Sequence, residues 1–211
     1  IFVGMVESPL LIRPYINRIS RGELFMIMTG GMATVAGTMM VIYATILQPV
    51  IGEAMGHILT ASIISAPASL VIASLMVPMT EAPTTGDLEI PYETRNSMDA
   101  ITKGTSEGIQ LIMHVIAMII VLVALVSLVN IFLNLFPNIA GEPLTLQRIM
   151  GYILAPIAWL MGIPWDQALT AGSLFGTKTI LNEFLAYIEL SQLPASALSE
   201  KSRLIMTYAL C

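Results

Sequence analysis

Charge and cysteine are both scarce in this sequence. Charged residues make up 11% of its 211 residues and hydrophobic residues 56%, with a mean hydropathy of +0.83. Soluble domains typically carry about 25% charged residues. Because so few charges cannot coat a water-facing surface, we expect lipid to cover much of the protein.

Other absences exclude whole classes of function. The one cysteine, Cys211, permits neither a disulfide nor a Cys/His metal site within these residues. The Lys and Arg side chains form no basic stripe, so nucleic acid is not an expected partner. Gly-rich phosphate loops and Ser/His/Asp patterns are absent, which argues against an enzyme. The chain starts without Met and both its ends lie in apolar runs, so we expect a piece of a longer protein.

Several apolar runs are long enough to cross a membrane, which takes roughly 20 mostly apolar residues. They are 24–47, 57–77, 109–136 and 168–190, with a further run starting at residue 204. Two other apolar pieces, 1–12 and 144–164, are interrupted by Gly and Pro. Such short pieces are typical of re-entrant segments, and broken backbone at membrane depth must be buried in protein or line a wet cavity.

The alternation of these segments predicts an all-α polytopic membrane protein. Arg13, Arg18 and Arg21 precede the first span and place that loop in the cytoplasm. We expect inverted repeats, each a re-entrant helical hairpin plus a broken transmembrane helix, as in many secondary transporters. The expected organisation is the second half of hairpin 1 with an interfacial turn at 1–20, a broken transmembrane helix and the following span at 21–78, a cytoplasmic loop at 79–107, a long scaffold helix at 108–136, re-entrant hairpin 2 at 137–165, a broken transmembrane helix at 166–190, and a cytoplasmic turn with the start of the last helix at 191–211.

Two carboxylates, Glu7 and Glu183, lie inside apolar stretches. A charge near the bilayer centre costs about 2.5–3.5 kcal/mol on insertion scales, so such residues face a cavity or a partner. Glu7 is either a site residue or an interfacial helix-end charge. On a continuous helix Glu183 shares a face with Thr179 and lines a polar site; the alternative is a structural ion pair with Lys178.

Two further features leave alternatives open. The segment 28–38 is rich in small and hydroxylated residues, which favours either close helix packing or local unwinding that frees carbonyls for a cation. His114 has no acidic neighbour on its helix face, so a satisfied polar contact is favoured over a proton relay.

Six motifs, in order along nearly the whole chain, closely resemble those of the concentrative nucleoside transporters. They are GMVESPLLIRPY at 4–15, MTGGMATVAG at 28–37, ASIISAPAS at 61–69, GYILAP with WLMG between 151 and 162, NEFLAY at 182–187 and TYALC at 207–211. The resemblance implies a symporter, embedded as a homotrimer in lipid of the bacterial inner membrane, that imports nucleosides with Na⁺ or H⁺ as coupling cation and no other cofactor.

The same resemblance assigns roles to individual residues. It implies that substrate is bound by Gly4, Met5, Val6, Glu7, Met39 and Glu183, with Glu183 accepting from ribose hydroxyls. It implies that the cation is held by Val3, Thr34 and Val35, through backbone carbonyls and the Thr34 hydroxyl. Many members carry Gln-Thr or Gln-Ser where this chain has Met5-Val6, so we expect altered base selectivity. The alternative functions are a passive facilitator and a membrane enzyme that uses Glu7, Glu183 and His114.

Overall fold

The computed structural model describes residues 12, 15–16, 18–79, 84, 96–138, 141 and 143–211. Five predicted site residues lie outside these ranges, namely Val3, Gly4, Met5, Val6 and Glu7. Every regular element within the ranges is a helix, in keeping with the predicted all-α fold. The helices are α1 (Arg21–Met32), α2 (Gly37–Leu47), α3 (Ala54–Met76), α4 (Ser97–Leu133), α5 (Leu146–Leu160), α6 (Trp165–Ile180), α7 (Glu183–Gln192) and α8 (Glu200–Ala209).

Helices α1 and α2 form a broken helix with a four-residue interruption at 33–36. The helix starts at Ser20, whose hydroxyl accepts from the Glu23 amide while the Glu23 carboxylate accepts from the Ser20 amide. This reciprocal capping box fixes the start of α1. Thr84, from the segment before α4, also donates from both its amide and its hydroxyl to Glu23, each at 2.7 Å. The start of α1 is therefore held from two sides.

Helix α3 runs antiparallel to the broken helix and contacts both of its halves. A Cβ at Gly30 of α1 would lie 3.8 Å from Ser69 Oγ, and the Val35 amide in the break donates to Ser62 Oγ at 3.3 Å. The small residues of segment 28–38 thus pack against α3, and the chain also unwinds after Met32.

Among the described residues, three helical stretches are long and apolar enough to cross a membrane: Arg21–Leu47, Ala54–Met76 and Ser97–Leu133. They coincide with the first three predicted spans. Helix α4 starts earlier than predicted, because the Asn96 side chain accepts from the Asp99 amide and caps it. Residues 97–107 of the predicted cytoplasmic loop are therefore helical.

The fourth predicted span, 168–190, is not a single helix. The Thr177 hydroxyl donates to Glu189 Oε2 at 2.8 Å, although twelve residues along a straight helix span about 18 Å. The chain must therefore reverse between them, at Leu181 and Asn182, where α6 ends and α7 begins. The prediction that Thr179 and Glu183 share a helix face is wrong for the same reason.

Helices α6 and α7 therefore form a helical hairpin, which follows the segment 137–165 in which re-entrant hairpin 2 was predicted. Helix α5, which lies in that segment, packs antiparallel against α6 through glycines. A Cβ on Gly172 would collide with the carbonyl oxygen of Gly151, and a Cβ on Gly176 would lie 2.8 Å from Met150 Cβ. The sequence predicted a broken helix at 166–190 and not this hairpin, because no Gly or Pro marks the reversal.

The core lies where α2, α3, α7 and α8 meet. Its largest fully buried side chains include Tyr43, Leu47, Ile58, Tyr187 and Met206. Helix α4 has the opposite character, because Val126 is its only buried residue. Its apolar surface is available to lipid or to other protein.

Candidate functional site

Glu183 lies at the tip of the α6–α7 hairpin, as the first residue of α7. Asn182 is the N-cap of this helix, and its side-chain oxygen accepts from the Leu185 amide at 2.9 Å. An acidic side chain in the first turn interacts favourably with the positive end of the helix dipole. The Asn182-Glu183 pair therefore sets both the start of α7 and the position of the carboxylate.

Tyr43 holds the Glu183 carboxylate from the broken helix. Its hydroxyl donates to Glu183 Oε1 at 3.2 Å, and the tyrosine is only 1% exposed. The Tyr43 ring centroid lies 4.7 Å from that of Tyr187 and 6.3 Å from that of Phe184, both on α7. An ionised carboxylate has about four acceptor positions, so Glu183 keeps capacity to accept from ligand hydroxyls.

Met39, the other predicted substrate residue within the described ranges, lies on α2 one turn before Tyr43. Residues four apart on a helix share a face, so Met39 is on the side of α2 that meets α7. Its side chain is half-buried against the core. Met39 and Tyr43 therefore share the face of α2 from which Tyr43 reaches Glu183.

The predicted cation residues, Thr34 and Val35, lie in the break between α1 and α2. The Thr34 hydroxyl donates to the Gly30 carbonyl at 3.0 Å, and Val35 is 3% exposed. The last four carbonyls of a helix have no partner within that helix. Such half-helix ends are where broken-helix transporters hold monovalent cations.

A cavity of about 630 Å³ opens beside this break, between α1 and α3. Thr34 is part of its lining, whereas Met39 and Glu183 are not. Most of the lining is apolar, and it includes Ile27, Gly30, Gly31, Ala66 and Leu70. Its volume is in the range of small-molecule pockets, which is roughly 300–1,000 Å³.

Lys178 directs its hydrogen bonds away from Glu183. Its Nζ donates to the backbone oxygens of Ala209 at 3.2 Å and of Cys211 at 2.9 Å, at the end of α8. Within the described residues, the alternative of a Lys178–Glu183 ion pair is therefore replaced by a contact with α8. His114 is an exposed side chain whose Nδ1 lies 2.7 Å from the Gln110 carbonyl. This is the satisfied polar contact that the sequence favoured over a proton relay.

Sequence reasoning missed two residues that support the site. Tyr43 could have been found from its four-residue spacing to Met39, which puts a polar group on the same helix face. Ser62 could not have been found this way, because its partner Val35 lies 27 residues away and no periodicity relates them.

Comparisons with known proteins identify the family of the chain. Residues 57–211 match the family model described as Na⁺ dependent nucleoside transporter C-terminus. All of the chain aligns with the "Uncharacterized transporter YutK" of Bacillus subtilis (40% identity, 52% of that protein) and with the "Nucleoside permease NupC" of Helicobacter pylori (38% identity, 50% of that protein). The chain thus spans about half the length of these relatives.

A solved structure matches the whole chain as well. CNTnw in an inward-facing substrate-bound state is 37% identical, with a TM-score of 0.78, and the chain covers 49% of it. This match confirms the predicted polytopic fold, and the relatives are described as transporters and permeases, not as enzymes. Together with the family match over 57–211, these findings place the chain in the membrane and confirm the resemblance carried by its motifs. The chain belongs to the family of Na⁺-dependent nucleoside transporters.

Proposed function

We propose that the full-length protein is a symporter that imports nucleosides by alternating access, driven by a cation gradient. One observation carries this proposal: Glu183, at the tip of the α6–α7 hairpin, accepts a hydrogen bond from Tyr43 on the second half of the broken helix. Secondary transporters build their substrate sites between interrupted helical units of this kind. Membership of the family supports a nucleoside as the substrate.

The substrate site proposed here combines both units. Glu183 would accept from ribose hydroxyls, Met39 would contact the base, and Gly4, Met5, Val6 and Glu7 would complete the base pocket. Hydrogen bonds between hydroxyls and an ionised carboxylate are roughly twice as strong as neutral ones. Ribose recognition therefore rests mainly on Glu183 in this proposal.

The coupling cation would bind at the break, through Val3, Thr34 and Val35. A cation there would order the first hairpin against the broken helix and thereby complete the nucleoside pocket. Because binding coupling is reciprocal, nucleoside would also raise the affinity for the cation. The family description favours Na⁺ over H⁺ as this cation.

Relatives support the remaining parts of the proposal. CNTnw has been solved both in inward-facing and in outward-facing states, which supports alternating access for this protein too. The bacterial relatives support a location in the inner membrane. The exposed apolar surface of α4 is compatible with a homotrimer, the assembly that the motifs imply.

Flux into proteoliposomes tests this function. Full-length protein would be supplied with labelled uridine or adenosine under an imposed Na⁺ gradient, and separately under a pH gradient. We expect accumulation above equilibrium that collapses with an ionophore and is lost in Glu183→Gln but not in the exposed control Glu200→Gln. Equilibration without accumulation would identify a passive facilitator instead, and no flux of any nucleoside would contradict the proposal.

A further inference from the structure

Helices α1 and α8 share a tripeptide and two local structural features. Both carry the tripeptide Ile-Met-Thr, at 27–29 and at 205–207. Both start at a serine N-cap, Ser20 in one and Ser199 in the other. In both, the threonine hydroxyl donates to the carbonyl four residues earlier, at 2.7 Å in α1 and 2.9 Å in α8.

The shared features of α1 and α8 relate the contacts of Lys178 to the break after α1. When the two tripeptides are superimposed, Ala209 corresponds to Gly31 and Cys211 to Ala33. Ala33 is the first residue after α1 and directly precedes Thr34, where the proposed coupling cation binds. The Ala209 carbonyl, which accepts from Lys178, is thus the counterpart of the Gly31 carbonyl at the end of α1, beside the proposed cation site. The other acceptor is the backbone oxygen of Cys211, the last residue of the sequence.

The Lys178 ammonium suits such a place chemically. It is a compact positive charge with three N–H donors and no acceptor, so it can replace a monovalent cation among carbonyl oxygens. The last turn of a helix carries partial negative charge, which favours a cation there. Its two bonds, 3.2 Å and 2.9 Å long, join the hairpin to α8 only a few residues before Glu183.

We infer that Lys178 is a tethered cation, which holds the α6–α7 hairpin against α8 as the proposed coupling cation would hold the first hairpin against the broken helix. This inference rests on the proposed function, because it compares Lys178 with the proposed coupling cation. The hydrogen bonds between Lys178 and the end of α8 do not depend on that function. It makes Lys178 a positioning residue for Glu183. The ribose side of the site is then permanently ordered, whereas the base side is ordered only when the coupling cation is bound.

Chemical rescue of the full-length transporter tests the inference. We compare wild type with Lys178→Ala, Lys178→Arg and the exposed control Lys201→Ala. Two quantities are measured in detergent, the thermal midpoint without nucleoside and the Kd for uridine or adenosine. Propylammonium is added as a free amine that fits the space left by the lysine, and tetramethylammonium serves as a cation without N–H donors.

We expect Lys178→Ala to raise the nucleoside Kd by about tenfold or more and to lower the midpoint, since charged hydrogen bonds to two carbonyls are lost. Propylammonium should restore much of the nucleoside affinity and of the thermal midpoint, and tetramethylammonium should restore neither. Lys178→Arg should retain part of the affinity. An unchanged Kd and midpoint in Lys178→Ala, or a loss that propylammonium leaves untouched, would overturn the inference. If wild type binds no nucleoside while propylammonium still restores the midpoint, the proposed function fails and the tethered cation stands.

Discussion

Tyr43 and Glu183 lie 140 residues apart in the chain and are joined by a hydrogen bond of 3.2 Å. The bond connects α2, which begins after the break at 33–36, to the tip of the α6–α7 hairpin. Because Tyr43 is buried between the Tyr187 and Phe184 rings, its hydroxyl has little freedom to leave the carboxylate. We therefore expect a shift of α2 to be passed on to Glu183.

Tyr43→Phe removes this hydroxyl and keeps the ring packing. A hydrogen bond to a charged group contributes about 1.5–3 kcal/mol to stability, so we expect a lower thermal midpoint. Because Glu183 also loses the donor that positions it, we expect roughly tenfold weaker nucleoside binding as well. Tyr187→Phe is the matched control, since the Tyr187 hydroxyl donates to the Thr207 carbonyl and not to Glu183. It should lower the midpoint without the same loss of affinity. Equal Kd values for Tyr43→Phe and wild type, from equilibrium binding, would refute the positioning role.

Ser62→Ala addresses the break itself. Ser62 Oγ accepts from the Val35 amide at 3.3 Å, and both residues are buried. Leaving a buried amide without its acceptor costs about 1–3 kcal/mol. Because this amide lies at the proposed cation site, we expect a several-fold higher Na⁺ concentration for half-maximal uptake.

Ser74→Ala is the control for that substitution. The Ser74 hydroxyl also lies on α3 but donates to the carbonyl of Val71, three residues earlier. Its removal should leave the Na⁺ dependence unchanged. If both serine variants respond to Na⁺ as wild type does, Ser62 has no part in holding the break.

The first three spans and the first break could be predicted from the sequence because both are local properties. Hydropathy identifies Ala54–Met76 directly, and the run of small residues near Thr34 marks a place where the helix can unwind. The start of α7 also had a local signal that hydropathy does not register. Asn182 followed by Glu183 is an N-cap with an acidic first turn, which indicates a helix start even within an apolar run.

The pairing of residues across helices could not be predicted. An ion pair between Lys178 and Glu183 was an alternative that the sequence left open, although residues five apart do not share a face of a continuous helix. The reversal at Leu181 and Asn182 instead leaves Lys178 beside the backbone of Ala209. Sequence periodicity gives the face of a helix but not the backbone that the face will meet, which here belongs to a helix about thirty residues further along.

Gly172→Ala tests the close packing of α5 on α6. The added Cβ would collide with the Gly151 carbonyl and would lie 2.9 Å from the Ala155 amide nitrogen. Overpacking of this kind typically costs about 1–3 kcal/mol, so we expect a lower thermal midpoint. Gly104→Ala, on α4 where a Cβ would meet no atom within 4 Å, should be neutral or stabilising because alanine favours helix. Identical midpoints for the two variants would contradict the packing.

Met5 and Val6 lead to a prediction about selectivity. Replacing them with Gln and Thr, the pair that many family members carry, restores two hydrogen-bonding side chains to the predicted base pocket. A site built to bond polar groups rejects analogues that lack them more strongly than an apolar site does. We therefore expect the ratio of uridine to adenosine uptake to change, measured by competition in proteoliposomes. The same ratio in both proteins would show that these positions do not face the base.

Arg203 leads to the last prediction, which concerns the far end of the α6–α7 hairpin. It is 5% exposed, and its guanidinium donates to the carbonyls of Leu193 and Pro194 at 2.8 and 2.7 Å, and to those of Leu190 and Leu198 at 3.4 and 3.3 Å. The side chain thus closes the end of α7 and the turn that leads to α8. Arg203→Met keeps most of the volume but leaves these carbonyls unmet, which should cost at least about 2–3 kcal/mol. Arg203→Lys should fall between Arg203→Met and wild type because an ammonium cannot reproduce the planar fork.

The exposed neighbour Lys201 provides the control, and Lys201→Met should stay within about 0.5 kcal/mol of wild type. Thermal midpoints of the four proteins would test this order, and a midpoint of Arg203→Met equal to that of Lys201→Met would mean that the turn is held by the packing of its apolar side chains alone.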